Sequence, residues 1–138
     1  MNPDDIRHLV RGRIEQAVES LADAKALLEA GRGGRSVVNR SYYCMFYCVL
    51  AMLQTINRVP RKHQGAISLS DLEFVHKELF PNDLSADLHR IFELRHVTDY
   101  ERVEPVGQED AKAAAETAER FLATVQVFPS KKGHLLTH

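Results

Sequence analysis

The sequence predicts an all-α protein: an antiparallel up-down-up-down four-helix bundle, with one short extra helix between the second long helix and the next. Three observations predict it. Apolar residues recur every three or four positions through each long segment, the spacing of a helix face. One central segment is apolar on nearly all sides, as the middle member of a bundle must be. No stretch shows the apolar–polar alternation of a half-buried strand. At 138 residues, 44% hydrophobic and 27% charged, the chain has the length and composition of one soluble globular domain rather than a disordered one.

The first helix is expected to start at Asp4 or Asp5, with Pro3 just outside it. Its seam is Val10, Ile14, Ala17, Leu21, Ala24 and Leu28, and Gly31, Gly33 and Gly34 stop it. The second runs from about Ser36 to about Asn57 and carries Val38, Tyr42, Met45, Phe46, Val49, Leu53 and Ile56. Pro60 and Gly65 mark the next break. A short helix follows over roughly 67–79, ended by Pro81. Another starts at Asp83 or Ser85 and carries Leu84, Leu88, Ile91 and Phe92. The last runs from about Glu109 to Val127, acid at its start as the helix dipole favours. Its face of Ala111, Ala114, Ala115, Ala118, Phe121, Leu122 and Val125 allows close approach. The domain is therefore 1–128, followed by a flexible tail, 129–138.

Cys44 and Cys48 lie one helical turn apart in an apolar run. That spacing suits two small buried hydrophobes, not a disulfide or a C-x-x-C site, and points to a reducing, cytoplasmic compartment. The longest apolar run, Tyr42 to Leu53, is 12 residues, against about 20 for a membrane span. No secretory h-region opens the chain, and no metal or cofactor pattern occurs, so none is expected.

The formal net charge of −1 conceals a segregation. Between Ala30 and Ser70 there is no carboxylate, while Arg32, Arg35, Arg40, Arg58, Arg61 and Lys62 give that stretch +6 and leave −7 elsewhere. On one helix, Arg40 and Arg58 would stand about 27 Å apart. The expectation is two basic sites at opposite ends of the bundle, each a solvated helix end or an anion site. The loop from Gly31 to Arg35 lacks a P-loop pattern and reads as an interhelical turn.

The inward stripe of the helix after Pro81 reads Leu84, Leu88, Phe92 and then Arg95, Asp99 and Arg102. Charges on such a stripe need partners. Alternating helices bring the start of the second helix to the same end, so Arg40, Tyr42 and Tyr43 are expected near Arg95, Asp99 and Tyr100. Arg40 with Asp99 is one candidate pair. The cluster is either a polar network that fixes register or an anion site centred on Arg95.

Three motifs lie in order along the chain. They are Asn39-Arg40-Ser41-Tyr42-Tyr43-Cys44-Met45-Phe46, Lys62-His63-Gln64-Gly65, and the segment from Phe92 to Tyr100 that contains Leu94-Arg95 and Asp99-Tyr100. Together they resemble the N-R-[AS]-Y-Y-x-x-F, K-H-x-G and L-R-x-x-A-D-Y signatures of HEPN domains (higher eukaryotes and prokaryotes nucleotide-binding). Thr98 stands where the last motif usually has Ala. The resemblance covers about residues 5–128. It implies a helical bundle, commonly a homodimer, paired with a small nucleotidyltransferase in a toxin–antitoxin-type module. Many such domains are metal-independent ribonucleases with an R-x(4–6)-H motif, in which His moves a proton and Arg stabilises phosphoryl charge. Here positions 100, 101 and 102 are Tyr, Glu and Arg, so that motif is incomplete.

The resemblance and the charge pattern together nominate Arg40, Tyr43, Arg95, Asp99, Lys62 and His63 for binding nucleotide or RNA. Arg95, His96 and Tyr100 are the candidates should catalysis occur. His76 and His89 read as solvent-facing, and Tyr42, Tyr43 and Tyr47 as core aromatics. Tyr100, near a helix end, is a candidate for modification by a nucleotidyltransferase partner. The readings to be weighed are a nucleotide- or RNA-binding regulatory partner, a ribonuclease toxin with a non-standard motif, and a purely structural interaction domain.

Overall fold

The computed structural model describes residues 2–101, without the Glu101 side chain, and 104–127. Arg102 and the expected tail, 129–138, lie outside the described residues. The protein is an all-helical bundle of α1 (Pro3–Glu29), α2 (Gly34–Thr55), α3 (His63–Ser70), α4 (Asn82–His96) and α5 (Gln108–Gln126). α3 and α4 each run on into a wider π-type turn, Asp71–Val75 and Val97–Glu101 respectively.

α1 starts earlier than expected. The Asn2 side chain caps it, accepting a hydrogen bond from the Asp5 amide at 2.9 Å, and Pro3 is the first helical residue. Proline suits that position, since its missing N–H would have had no partner there. Val10, Ile14, Ala17, Leu21 and Ala24 are buried as the seam requires. The turn to α2 needs left-handed backbone at Gly31 (φ 68°) and Gly33 (φ 67°), which glycine adopts without a Cβ clash. Gly34 has a different task. A Cβ there would stand 2.5 Å from the Val106 carbonyl oxygen, so the start of α2 presses directly on the chain leading into α5.

α2 is the central member and packs against α1, α5, α4 and α3. Its all-round apolar character follows, because Val37, Val38, Tyr42, Cys44, Met45, Phe46, Cys48, Val49, Ala51, Met52 and Leu53 are all buried. Each large side chain so buried contributes about 1.5–3 kcal/mol. Cys44 and Cys48 are free and buried, and burial raises the Cys48 thiol well above its ordinary pKa. The small-residue face of α5 lets it come close: the Cys44 Sγ lies 3.9 Å from the Ala118 carbonyl oxygen. Among the described residues no helix is long and apolar enough to cross a membrane.

End-to-end contacts fix which helix ends meet. Gln108 at the start of α5 donates to the Leu28 carbonyl at the end of α1. Arg35 in the first turn of α2 donates to the carbonyls of Thr98 and Glu104, the latter at 2.7 Å, and so joins α2 to the chain after α4. Arg120 late in α5 pairs with Asp87 early in α4. Helices of alternating direction make such contacts.

One sequence expectation changes here: the short helix does not begin near residue 67; it starts at His63 and ends at Ser70. His89 is exposed as expected, and its Nε2 meets Asp71 Oδ2 at 2.6 Å while Ser85 Oγ donates to Asp71 Oδ1 at 2.5 Å. That carboxylate ties the π-type turn after α3 to α4.

Candidate functional site

The site lies where the N-terminal half of α2 faces the C-terminal end of α4. The wider turn at Val97–Glu101 decides its geometry. In a regular helix residues four apart share a face, whereas a π-type turn brings together residues five apart. Here both partners serve: Arg95 Nε donates to Asp99 Oδ2 at 3.3 Å, and its Nη2 lies 3.4 Å from Tyr100 Oη. The inward position of this turn is taken by Thr98, which is fully buried and whose hydroxyl donates to the Arg95 carbonyl. The expected inward stripe through Asp99 is thus displaced by one residue.

Arg95 is held between tyrosines. Its guanidinium carbon lies 5.1 Å from the ring centre of Tyr42, 5.7 Å from Tyr43 and 5.6 Å from Tyr100. These distances allow cation–π attraction, which strengthens as water is excluded. The Arg95 side chain is 14% exposed and that of Asp99 24%. Arg40 sits 5.1 Å from the Tyr43 ring, so two guanidinium groups lean on one phenol ring.

The expected Arg40–Asp99 pair does not form directly. Asn39 stands between them: its amide Nδ2 donates to Asp99 at 3.3 Å, while its Oδ1 accepts from Arg40 Nε and Nη2 at 3.1 and 2.7 Å. A primary amide can do both, having a donor and an acceptor at opposite corners.

The larger correction concerns His63. In sequence it directly follows Arg58, Arg61 and Lys62 of the far basic end, yet it belongs to the Arg95 cluster. The segment after α2 turns back along that helix, with Asn57 in left-handed backbone at φ 57°. The His63 ring then stacks on Phe46 with centres 4.0 Å apart, and its Nδ1 shares a hydrogen bond of 2.7 Å with Tyr42 Oη. Lys62 precedes α3 with an exposed side chain, as do Arg58 and Arg61 on the same segment.

The electrostatics follow from this packing. Burial, and secondarily the charge of Arg95, lowers the His63 pKa, so its imidazole is neutral at pH 7. Burial pushes the Tyr42 phenol far above its ordinary value, against a smaller opposing pull from Arg95. A neutral His63 suits Tyr42 as donor to Nδ1, with the ring hydrogen on Nε2. His96 and Tyr100, the other catalytic candidates, have ring centres 5.2 Å apart, and Tyr100 is 67% exposed. The structure thus gathers Arg40, Tyr43, His63, Arg95, Asp99 and Tyr100 and leaves Lys62 outside the cluster.

Tyr42 lies beside Arg95 as the alternation of helices predicts, whereas Asn39 and Phe46 are members of the site that the charge pattern does not nominate. Both lie in the Asn39 to Phe46 motif, which is the signal that points to them.

Residues 10–128 match the HEPN domain. Over 122 residues, covering 88% of this chain and 90% of the other, the sequence is 33% identical to a Methanocaldococcus jannaschii protein named "Putative toxin MJ0605". It is 35% identical over 111 residues, 80% of this chain and 83% of the other, to a "UPF0332 protein" of Thermotoga maritima. A second Methanocaldococcus jannaschii relative, "Putative toxin MJ0142", is 30% identical across 79% of this chain and 74% of its own length. With the three motifs gathered around Arg95 and a match that spans the bundle, the chain belongs to the HEPN domain family.

Proposed function

We propose that this HEPN protein binds the phosphate of a nucleotide or RNA at Arg95, as the toxin-like member of a module with a small nucleotidyltransferase. The observation that carries the reading is the charge count in a partly dry site. Arg40 and Arg95 share the Tyr43 ring, and Asp99 is the carboxylate that the described residues bring to them. Two permanent cations against one carboxylate leave room for an anion, and a guanidinium offers the planar donor fork that phosphate oxygens fit. The tyrosine rings around it supply faces on which a base can stack. The relatives named as putative toxins favour the toxin-like role.

The test is binding of nucleotide and short RNA by purified protein and by Arg95→Ala. Loss of a charged hydrogen bond of about 1.5–3 kcal/mol predicts roughly 10- to 150-fold weaker binding. A folded Arg95→Ala protein that binds as tightly as the wild type refutes the site.

One observation favours a ribonuclease as the second reading. Tyr100 occupies the first position open to the His of R-x(4–6)-H, its hydroxyl faces Arg95, and His96 lies beside it. Cleavage of RNA in EDTA, lost in Arg95→Ala, is what that reading requires. A phenol hydroxyl accepts a proton far less readily than the imidazole that motif calls for, which is why binding is preferred.

A further inference from the structure

Beside the permanent cation Arg95 the cluster holds one group that can become a cation, His63. Both lean on the same two rings. The His63 ring centre is 5.7 Å from those of Tyr42 and Tyr43, the rings that also flank the Arg95 guanidinium. The groups that face His63 are Tyr42, Tyr43 and Phe46 from α2 and Arg95 from α4; Arg61 and Lys62 precede it on its own segment. Among the described residues no carboxylate bonds it. A protonated His63 would therefore sit in a half-buried place with a cation nearby and no counter-charge, and the lowered pKa is the expected response.

A bound anion reverses that balance. We propose that His63 is a proton-carrying binding residue of this site: a phosphate held at Arg95 is the missing counter-charge, and His63 takes up a proton as the phosphate binds. The inference rests on the reading of Arg95 as the phosphate site and adds to it a second contact and a pH dependence. The proton comes from solvent and goes to Nδ1. The hydrogen bond to Tyr42 then reverses, with Nδ1–H donating and Tyr42 Oη accepting, while Nε2 keeps its own hydrogen. Tyr42 suits this reversal, since its hydroxyl stays protonated throughout and can serve as donor or acceptor.

Linkage makes the effect reciprocal. If binding raises the His63 pKa, lowering the pH must tighten binding by the same free energy. A rise of about one unit corresponds to as much as about tenfold in affinity. A phosphodiester is the proper probe, because a phosphate monoester has its own second ionisation at about pH 6.

The experiment uses the full chain and a short oligouridylate, whose charge is constant over the range. Affinity is measured by fluorescence anisotropy from pH 7.5 to 5.5 at fixed salt, for wild type and His63→Gln. The His63 ring proton is followed by NMR in the wild type with and without the oligonucleotide, so the result does not depend on how well the variant folds. The expected result is several-fold tighter binding at low pH, a weaker pH response in His63→Gln, and an upward move of the His63 titration on binding. Binding that depends on Arg95 but leaves the His63 titration where it was overturns this proposal and spares the phosphate site. Absence of binding at every pH overturns both.

Discussion

Substituting Gly34 sets two effects of known size against each other. Gly34→Ala gains up to about 1 kcal/mol in helix propensity, because alanine has less backbone freedom to lose. Against that, the new Cβ would lie 2.5 Å from the Val106 carbonyl oxygen, 3.1 Å from the Val106 Cβ and 3.2 Å from its carbonyl carbon. The nearest obstacle is backbone, so a side-chain rotation cannot relieve it. The chain at residues 104–107 must shift, and it carries buried Val106 and the Glu104 carbonyl that accepts from Arg35. Overpacking of this kind costs about 1–3 kcal/mol, and weakening a hydrogen bond from a charged donor adds to it. The clash wins, and the net destabilisation is about 1–3 kcal/mol. At about 3 °C per kcal/mol for a chain of this length, the melting temperature falls by about 3–9 °C. Gly12→Ala is the control, since nothing lies within 4 Å of its added Cβ and it sits on the exposed side of α1. It should raise the melting temperature by about 1–3 °C through propensity alone. Thermal unfolding by circular dichroism measures both. Equal or higher stability of Gly34→Ala would refute the reasoning, showing that the chain at 104–107 yields at no cost.

Ser41 Oγ is buried on α2 with no hydrogen-bond partner among the described residues. Ser41→Ala removes that unsatisfied hydroxyl and should stabilise the protein by about 1 kcal/mol in urea unfolding; a loss of stability would mean the oxygen is satisfied. The lowered His63 pKa also makes stability depend on pH. Between the folded value and the ordinary value of about 6.5, the unfolded chain binds more protons at this residue, so stability rises with pH there. The contribution is complete above about pH 6.5 and is lost as pH falls toward the folded value. Urea unfolding from pH 7.5 to 5 should therefore show a steeper decline in wild type than in His63→Gln, and equal slopes would exclude the effect.

Much of the fold is legible in the sequence, because burial obeys helical period. The steps from Val10 to Ala24 and the alanine face of α5 name buried residues almost one for one. The site is less legible, for two physical reasons. Period-based reading assumes 3.6 residues per turn, and the wider turn at Val97–Glu101 breaks the assumption, putting Thr98 inward and Tyr100 beside Arg95. Distance along a helix axis likewise says nothing about a chain that doubles back. Arg58 and Arg61 are where the charge pattern puts them, on an exposed segment, but His63 has returned to Tyr42 and Phe46. The exposed cap of α1 shows a smaller version of the same limit: Asn2 and Asp5 are both good capping residues, and the choice between them depends on one hydrogen bond.

The wider turn at the end of α4 has a consequence for what faces Arg95. A count of residues between an arginine and a later histidine looks like a loose sequence rule, but on a helix it selects a direction in space. With a regular turn, position 100 would swing away from the guanidinium; with the turn present here, it faces it. The backbone therefore presents whatever stands at position 100 to the Arg95 guanidinium. A substitution there would change what faces the guanidinium with no rebuilding of the bundle that supports it.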